Sequence, residues 1–124
     1  TSPADAAAFV ADTGVDLLAV AVGSSHAMIT RDAHLDEDLI RAIREAVSVP
    51  LVLHGSSGVS DAGMQAAIAA GMTKINVATH LNQVFTGSVR ESLVADLTMV
   101  DSRKWMKPAR TACELETYRL LSLY

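Results

Sequence analysis

Three short apolar runs, each followed at once by small or polar residues, constrain the fold of this 124-residue chain most. The first run, DLLAVAVG over 16–23, does not alternate between apolar and polar residues, so both faces of this strand are expected to be buried. LVLH over 51–54 and TKINVAT over 73–79 follow, separated by segments of helical pattern. This order is typical of βα units and predicts an α/β protein with a parallel sheet.

The segments between and beside these runs predict helices. A first helix is expected to end at Gly14, because glycine commonly stops a helix there. Apolar residues recur at a spacing of four over 35–47, and further helices are expected over 61–71 and 81–96. A last helix is expected to open at Pro108. Three parallel strands would leave both sheet edges unpaired, so the sequence is expected to belong to a larger sheet or barrel.

Composition limits the classes of function. Apolar residues make up 50% of the chain, enough for a substantial core, and the net charge is −4. Scattered Lys and Arg argue against nucleic acid or an anionic membrane as the main partner. Cys113 is the single cysteine, so no internal disulfide is expected, and no apolar run approaches the ~20 residues of a membrane span. We expect a cytoplasmic protein, and a start without Met favours a fragment or a processed chain.

Polar residues end the three runs at the place where α/β proteins bind ligands, beyond the carboxyl ends of the strands. His26 follows the first run and His54 ends the second, so two imidazoles can converge on one zinc ion. Two histidines are too few for a stable catalytic zinc site, and a third protein ligand would have to come from elsewhere. Gly-Ser-Ser-Gly over 55–58 and Asn-Val-Ala-Thr over 76–79 offer backbone N–H groups and hydroxyls to an anion such as phosphate.

Each of these features also has a purely structural explanation. A lone histidine at a strand end is most often a packing residue, and Gly-Ser-Ser-Gly alone is most often a turn. Asn76 and Thr79 alone would most often cap the helix that follows them. Lys74 is interpreted as a solvated or inter-element charge, and His34 and His80 as surface or cap residues. Two histidines at matching positions on successive strands favour a ligand site over these explanations.

Four pieces of the sequence together resemble the class II, metal-dependent ketose-bisphosphate aldolases, which act on fructose or tagatose 1,6-bisphosphate. The pieces run in family order over essentially the whole chain and are TGVDLLAVAVGSSHAM, PLVLHGSSGV, GMTKINVATHLNQVF and DSRKWMKPAR. The resemblance implies that residues 1–124 form the last three βα units of a (β/α)₈ TIM barrel whose N-terminal strands are absent. It also implies a homo-oligomer with a role in carbohydrate metabolism.

The same resemblance implies two sets of site residues. The expected zinc ligands are His26 and His54, which match two of the family's three metal-binding histidines. The residues expected to bind the dihydroxyacetone phosphate end of the substrate are Ala27, Gly55, Ser56, Ser57, Asn76, Val77, Ala78 and Thr79. Asn76 is expected to touch the reacting end and Thr79 the phosphate, with a monovalent cation near the phosphate loop. Ala27 stands where the family usually has glycine, so it keeps the backbone N–H but tolerates fewer backbone angles.

The family's acid–base aspartate, its first zinc histidine and its mobile-loop acid belong upstream of Thr1. No catalytic residue is therefore assigned within this chain. The parent protein is expected to be a zinc aldolase that yields dihydroxyacetone phosphate and glyceraldehyde 3-phosphate, whereas this chain alone is expected to be inactive. Two alternatives stay open: a non-catalytic metal- or phosphate-binding fragment that self-associates through strand edges, and a phosphate-binding barrel without metal. The choice between fructose and tagatose bisphosphate also stays open, although Asn-Val-Ala-Thr is closer to the tagatose-type subgroup.

Overall fold

The computed structural model describes residues 1–25 and 28–124. The chain divides into two compact units, Thr1–Val77 and Ala78–Tyr124. The first unit combines helices with a parallel sheet, and the second consists of two long helices. Within the described residues, no helix is both long enough and apolar enough to cross a membrane.

Helices and strands alternate in the first unit. In chain order its elements are α1 Pro3–Thr13, β1 Leu18–Ala19, α2 Glu37–Ala46, β2 Leu51–Leu53, a 3-10 turn Ser56–Gly58, α3 Asp61–Ala70 and β3 Met72–Ile75. β2 lies between β1 and β3 and runs parallel to both. The predicted α/β architecture with a parallel sheet is therefore confirmed, with strands shorter than the apolar runs suggested.

Side-chain caps set the starts of the three helices in this unit. Ser2, Asp36 and Ser60 each precede a helix and accept a hydrogen bond from a backbone N–H of its first turn. α1 ends at Gly14, where the backbone adopts the left-handed conformation with φ 64°. The predicted end of the first helix is therefore confirmed.

The core of the first unit lies between the sheet and its helices. Ile40 and Ile43 of α2 pack with Leu51 and Leu53 of β2, and all four side chains are fully buried. Every residue of β2 is buried, as expected for a strand covered on both faces. This packing fixes the position of the carboxyl end of β2, from which the next residue, His54, projects.

Burial alternates along the first apolar run. Leu18, Val20 and Val22 are buried, whereas Ala19 and Ala21 between them are exposed. The expectation that both faces of this run are buried is therefore wrong for this structure. The physical reason is that none of the described elements covers the second face of β1.

The second unit is a pair of packed helices, α4 Thr79–Ala95 and α5 Ser102–Leu123. The expectation that the last helix opens at Pro108 is wrong, because α5 begins six residues earlier. Oδ1 of Asp101 accepts a hydrogen bond from the N–H of Arg103 at 3.0 Å and caps the helix there. Pro108 lies inside α5, where it removes one possible backbone donor without ending the helix.

Candidate functional site

His54 and Asn76 meet at the carboxyl edge of the sheet. His54 directly follows β2, and Asn76 directly follows β3. Nε2 of His54 lies 3.0 Å from Nδ2 of Asn76. An amide nitrogen can only donate, so Nε2 of His54 carries no proton and its lone pair accepts the hydrogen bond from Asn76. Two of the predicted site residues are therefore brought together, as the parallel topology requires.

Lys74 fixes which end of the Asn76 amide faces the histidine. Nζ of Lys74 donates a hydrogen bond to Oδ1 of Asn76, and an ammonium group has donors only. With Oδ1 directed at Lys74, the amide nitrogen is the end directed at His54. Lys74 was interpreted as a solvated or inter-element charge, and its contact is with Asn76, two residues along the chain. Residues two apart on a strand share a face, and this spacing could have indicated the contact.

The loop after β1 packs directly against the His54–Gly55 backbone. Oγ of Ser24 donates to the carbonyl oxygen of His54 at 2.5 Å. Gly55 has φ 69°, and a Cβ added to it would lie 2.6 Å from the carbonyl oxygen of Ser25. Only glycine therefore allows this backbone approach without a shift of either segment. Ser24 and Ser25 were not among the predicted site residues, although Gly-Ser-Ser occurs both at 23–25 and at 55–57.

The residues after Gly55 form a buried turn. Ser56 and Ser57 are each only 7% exposed, and they belong to the 3-10 turn. Oγ of Ser56 donates to the carbonyl oxygen of Asn76 at 2.6 Å, so its hydroxyl proton holds the end of β3 in place. Because the hydroxyl proton is used in this bond, Ser56 can donate to a ligand only through its backbone N–H.

An open cavity of about 330 Å³ borders His54. Among the described residues, its lining includes Ala19, Val20, Ala21, Ser24 and His54. This volume is in the range of small-molecule sites, ~300–1,000 Å³. The exposed side of the first apolar run and the imidazole of the second thus border one cavity within the first unit.

The other predicted site residues lie outside the described residues, at the end of the first unit or in the second unit. His26 and Ala27 lie outside the described residues, so their zinc and phosphate roles stay predictions. Val77 ends the first unit, whereas Ala78 and Thr79 belong to the second. In the described part of the chain, no group of three or more His, Cys, Asp or Glu side chains is arranged to hold a metal.

His80 in the second unit has a specific partner. Its Nε2 lies 2.7 Å from Oε1 of Glu116, and the two side chains are 23% and 17% exposed. Hydrogen bonds from Arg119 lower the pKa of Glu116 to about 2, with His80 adding to this effect and partial burial opposing it. The interpretation of His80 as a surface or cap residue is therefore incomplete, because its side chain is partly buried and bound to Glu116. Its partner is 36 residues away on another helix, and no local sequence pattern points to it.

Comparison with known proteins adds the identity of the family. The family model "Fructose-bisphosphate aldolase class-II" matches residues 1–124. A protein of Escherichia coli K12 named "Uncharacterized protein YdjI" is 48% identical over 92 residues, which are 74% of this chain and 33% of that protein.

Solved structures show the same similarity. The crystal structure described as the YdjI aldolase of E. coli K12 matches 100% of this chain and 44% of its own, with a TM-score of 0.84 and 37% identity. A fructose-bisphosphate aldolase of Campylobacter jejuni matches 99% of this chain and 45% of its own, with a TM-score of 0.81. At 18% identity this second likeness shows the fold alone.

The chain spans less than half the length of each of these relatives. The family model nevertheless matches every residue of the chain, from the first helix to the last. The resemblance carried by the four sequence pieces is thereby confirmed, and this chain belongs to the class II fructose-bisphosphate aldolase family.

Proposed function

We propose that the protein carrying this chain is a zinc-dependent aldolase that reversibly cleaves a ketose 1,6-bisphosphate into dihydroxyacetone phosphate and glyceraldehyde 3-phosphate. The observation that carries the proposal is the meeting of His54, Asn76 and the Ser24–Ser25 loop at one edge of the parallel sheet. Family membership supports the reaction class. On this proposal, residues 1–124 are the C-terminal part of a TIM barrel, which the parallel sheet with one uncovered face around β1 supports.

His26 and His54 are the proposed zinc ligands. His54 fits this role because its unprotonated Nε2 lies at a strand end, and zinc is bound by the lone pair of a neutral imidazole nitrogen; zinc at this nitrogen would replace the hydrogen bond from Asn76. The Lys74–Asn76 contact directs the amide nitrogen of Asn76 at Nε2 of His54 and so favours the tautomer in which Nε2 carries no proton. Zinc, when bound, supplies Lewis-acid polarisation of the substrate carbonyl. A third ligand is expected from outside this chain.

The dihydroxyacetone phosphate end is proposed to bind Ala27, Gly55, Ser56, Ser57, Asn76, Val77, Ala78 and Thr79. The turn after Gly55 supports this, because the hydroxyl of Ser56 donates to the carbonyl oxygen of Asn76 and so joins two of the proposed phosphate-binding segments. Phosphate held at this end would orient the substrate carbon on the dihydroxyacetone phosphate side of the carbon–carbon bond that is cleaved. The cleavage also needs a base for the substrate hydroxyl proton, and no residue of this chain is assigned to that task. The chain alone is therefore proposed to be inactive.

Metal content tests the zinc ligands. We expect stoichiometric zinc in a longer protein that contains this chain and its loss in the His26→Ala and His54→Ala variants of that protein. His34→Ala is the matched control, because His34 is an exposed histidine of the same unit. Unchanged metal content in both site variants would contradict the proposal and favour a phosphate-binding barrel without metal.

Aldol cleavage tests the reaction itself. A longer protein that contains this chain is expected to cleave fructose or tagatose 1,6-bisphosphate in a chelator-sensitive manner. The ratio of kcat/KM for the two sugars would decide which is the substrate. Chelator-sensitive cleavage by the purified 124-residue chain would contradict the proposal that this chain lacks the required base.

One observation favours the alternative of a non-catalytic, self-associating protein. Phe9 and Leu17 are 51% and 47% exposed, and they border a cavity of about 420 Å³ beside β1. Apolar side chains in such a position favour association with another polypeptide. Light scattering tests this, since self-association that Leu17→Lys abolishes would support it and a monomer at all concentrations would contradict it. Because an aldolase can also be a homo-oligomer, zinc content and cleavage decide between the two functions.

A further inference from the structure

The first turn of α4 begins without a side-chain cap. Its N-cap residue is Ala78, which has no side-chain oxygen, and no capping hydrogen bond is formed there. The other four α-helices in the described residues begin after Ser2, Asp36, Ser60 or Asp101, each of which caps its helix. An uncapped first turn leaves N–H groups unsatisfied and is held less firmly by its own sequence. The geometry of Thr79, the first residue of α4, therefore depends on contacts from elsewhere.

α5 supplies two such contacts to the residues that follow Thr79. Nε2 of His80 donates to Oε1 of Glu116 at 2.7 Å, since a carboxylate can only accept. Sγ of Cys113 lies 3.5 Å from the carbonyl oxygen of Leu81 and donates to it. Cys113 and Glu116 are three residues apart on α5, so they lie on one face of that helix.

Arg119 keeps the Glu116 carboxylate in place for this contact. Nε of Arg119 lies 2.9 Å from Oε2 of Glu116, and Nη2 lies 2.8 Å from Oε1, so both carboxylate oxygens are bound. A planar, two-point contact of this kind orients a carboxylate more strictly than a single hydrogen bond does. The low exposure of Glu116 and His80 shields their contact from water. The carboxylate is thus fixed on one side by Arg119 and holds His80 on the other.

We propose that Glu116 is a positioning residue for phosphate binding, which holds the first turn of α4 through His80 so that Thr79 faces the substrate phosphate. This inference rests on the proposed function, in which Thr79 binds that phosphate. Glu116 itself touches no substrate. It acts by restricting the conformations of the turn that carries Thr79, and loss of this restriction weakens phosphate binding.

The first test measures binding of inorganic phosphate to the purified protein by titration calorimetry. Glu116→Ala is expected to raise the dissociation constant about tenfold, the effect of losing one charge-assisted hydrogen bond. Glu116→Gln keeps an acceptor oxygen for His80 and is expected to restore much of the affinity. Glu114→Ala is the matched control, because Glu114 is an exposed glutamate of the same helix. Unchanged affinity in Glu116→Ala would overturn the positioning role.

The second test asks whether Glu116 acts through Thr79. In a Thr79→Val background, Glu116→Ala is expected to have little further effect on phosphate affinity, because the two residues serve one contact. Additive losses would overturn the inference while leaving the phosphate role of Thr79 intact. No loss in Thr79→Val alone would overturn that phosphate role, and with it the part of the proposed function on which the inference rests.

A third variant separates positioning from folding. His80→Gln removes the imidazole but leaves the Glu116–Arg119 pair in place. We expect it to weaken phosphate binding as Glu116→Ala does, with an unchanged helical circular dichroism spectrum. Weaker binding that appears only together with a loss of helix content would overturn the positioning role in favour of a general effect on folding.

Discussion

Gly55→Ala is expected to lower the free energy of unfolding by about 2–5 kcal/mol. Gly55 has φ 69°, in the left-handed region, where a Cβ costs roughly 1–2 kcal/mol. The new Cβ would also lie 2.6 Å from the carbonyl oxygen of Ser25 and 2.8 Å from its carbonyl carbon. Backbone atoms cannot yield as a flexible side chain does, and overpacking of this kind costs roughly 1–3 kcal/mol. The expected loss is the sum of these two effects.

Gly14→Ala is the matched control for this measurement. Gly14 has nearly the same φ, 64°, but an added Cβ would meet no atom within 4 Å. In both variants alanine must adopt a left-handed backbone conformation, and in both it lowers the entropy of the unfolded chain. The difference between their free energies of unfolding therefore isolates the contact with Ser25. Urea unfolding followed by circular dichroism should show Gly55→Ala less stable than Gly14→Ala by about 1–3 kcal/mol. Equal losses in the two variants would refute the reasoning.

Three further predictions concern polar contacts. Lys74→Met removes the donor that orients the Asn76 amide, so His54 should become a mixture of its two tautomers. The ¹⁵N chemical shifts of the His54 ring report this change, and unchanged shifts would argue against this role of Lys74. Ser24→Ala removes the donor to the His54 carbonyl and should cost about 1 kcal/mol in urea unfolding, whereas an unchanged midpoint would show that this bond contributes nothing. The pKa of Glu116, about 2, lies below its ordinary value of 4.5, so the carboxylate adds stability above pH 4.5 that is lost as the pH falls toward 2. Glu116→Gln should therefore flatten the acid side of a plot of melting temperature against pH, and parallel plots would contradict the contact.

The fold class was predictable because apolar runs and helix stops are local signals. The strand lengths were not, because a strand extends only as far as its neighbours pair with it. Within the run over 16–23 the strand covers only Leu18–Ala19, and one further backbone hydrogen bond joins Val20 to Val52 of the three-residue β2. The start of α5 was missed for a related reason. Asp101 and Pro108 are both signals for a helix start, and the cap at Asp101 prevails because it satisfies an N–H that would otherwise lack a partner.

Part of the candidate site was predictable from topology. Residues that end adjacent parallel strands must lie at one edge, so the meeting of His54 and Asn76 follows once the strands are recognised. The partner of His80 could not be derived in this way, because Glu116 lies on a different helix and the contact depends on how the two helices pack. Local patterns predict faces of elements, whereas the pairing of those faces is decided by tertiary packing.

The surroundings of His54 explain how this edge can be rigid although it carries polar groups. Leu53, one residue earlier, is fully buried, so the core fixes where the strand ends. Beyond that point Ser24 holds the carbonyl oxygen of His54, and Asn76 holds its ring. Each of these contacts comes from a different segment, and each satisfies a polar group that burial would otherwise penalise. A site built in this way is preorganised by the fold below it, because the strand end and the orientation of the ring are set before any ligand arrives.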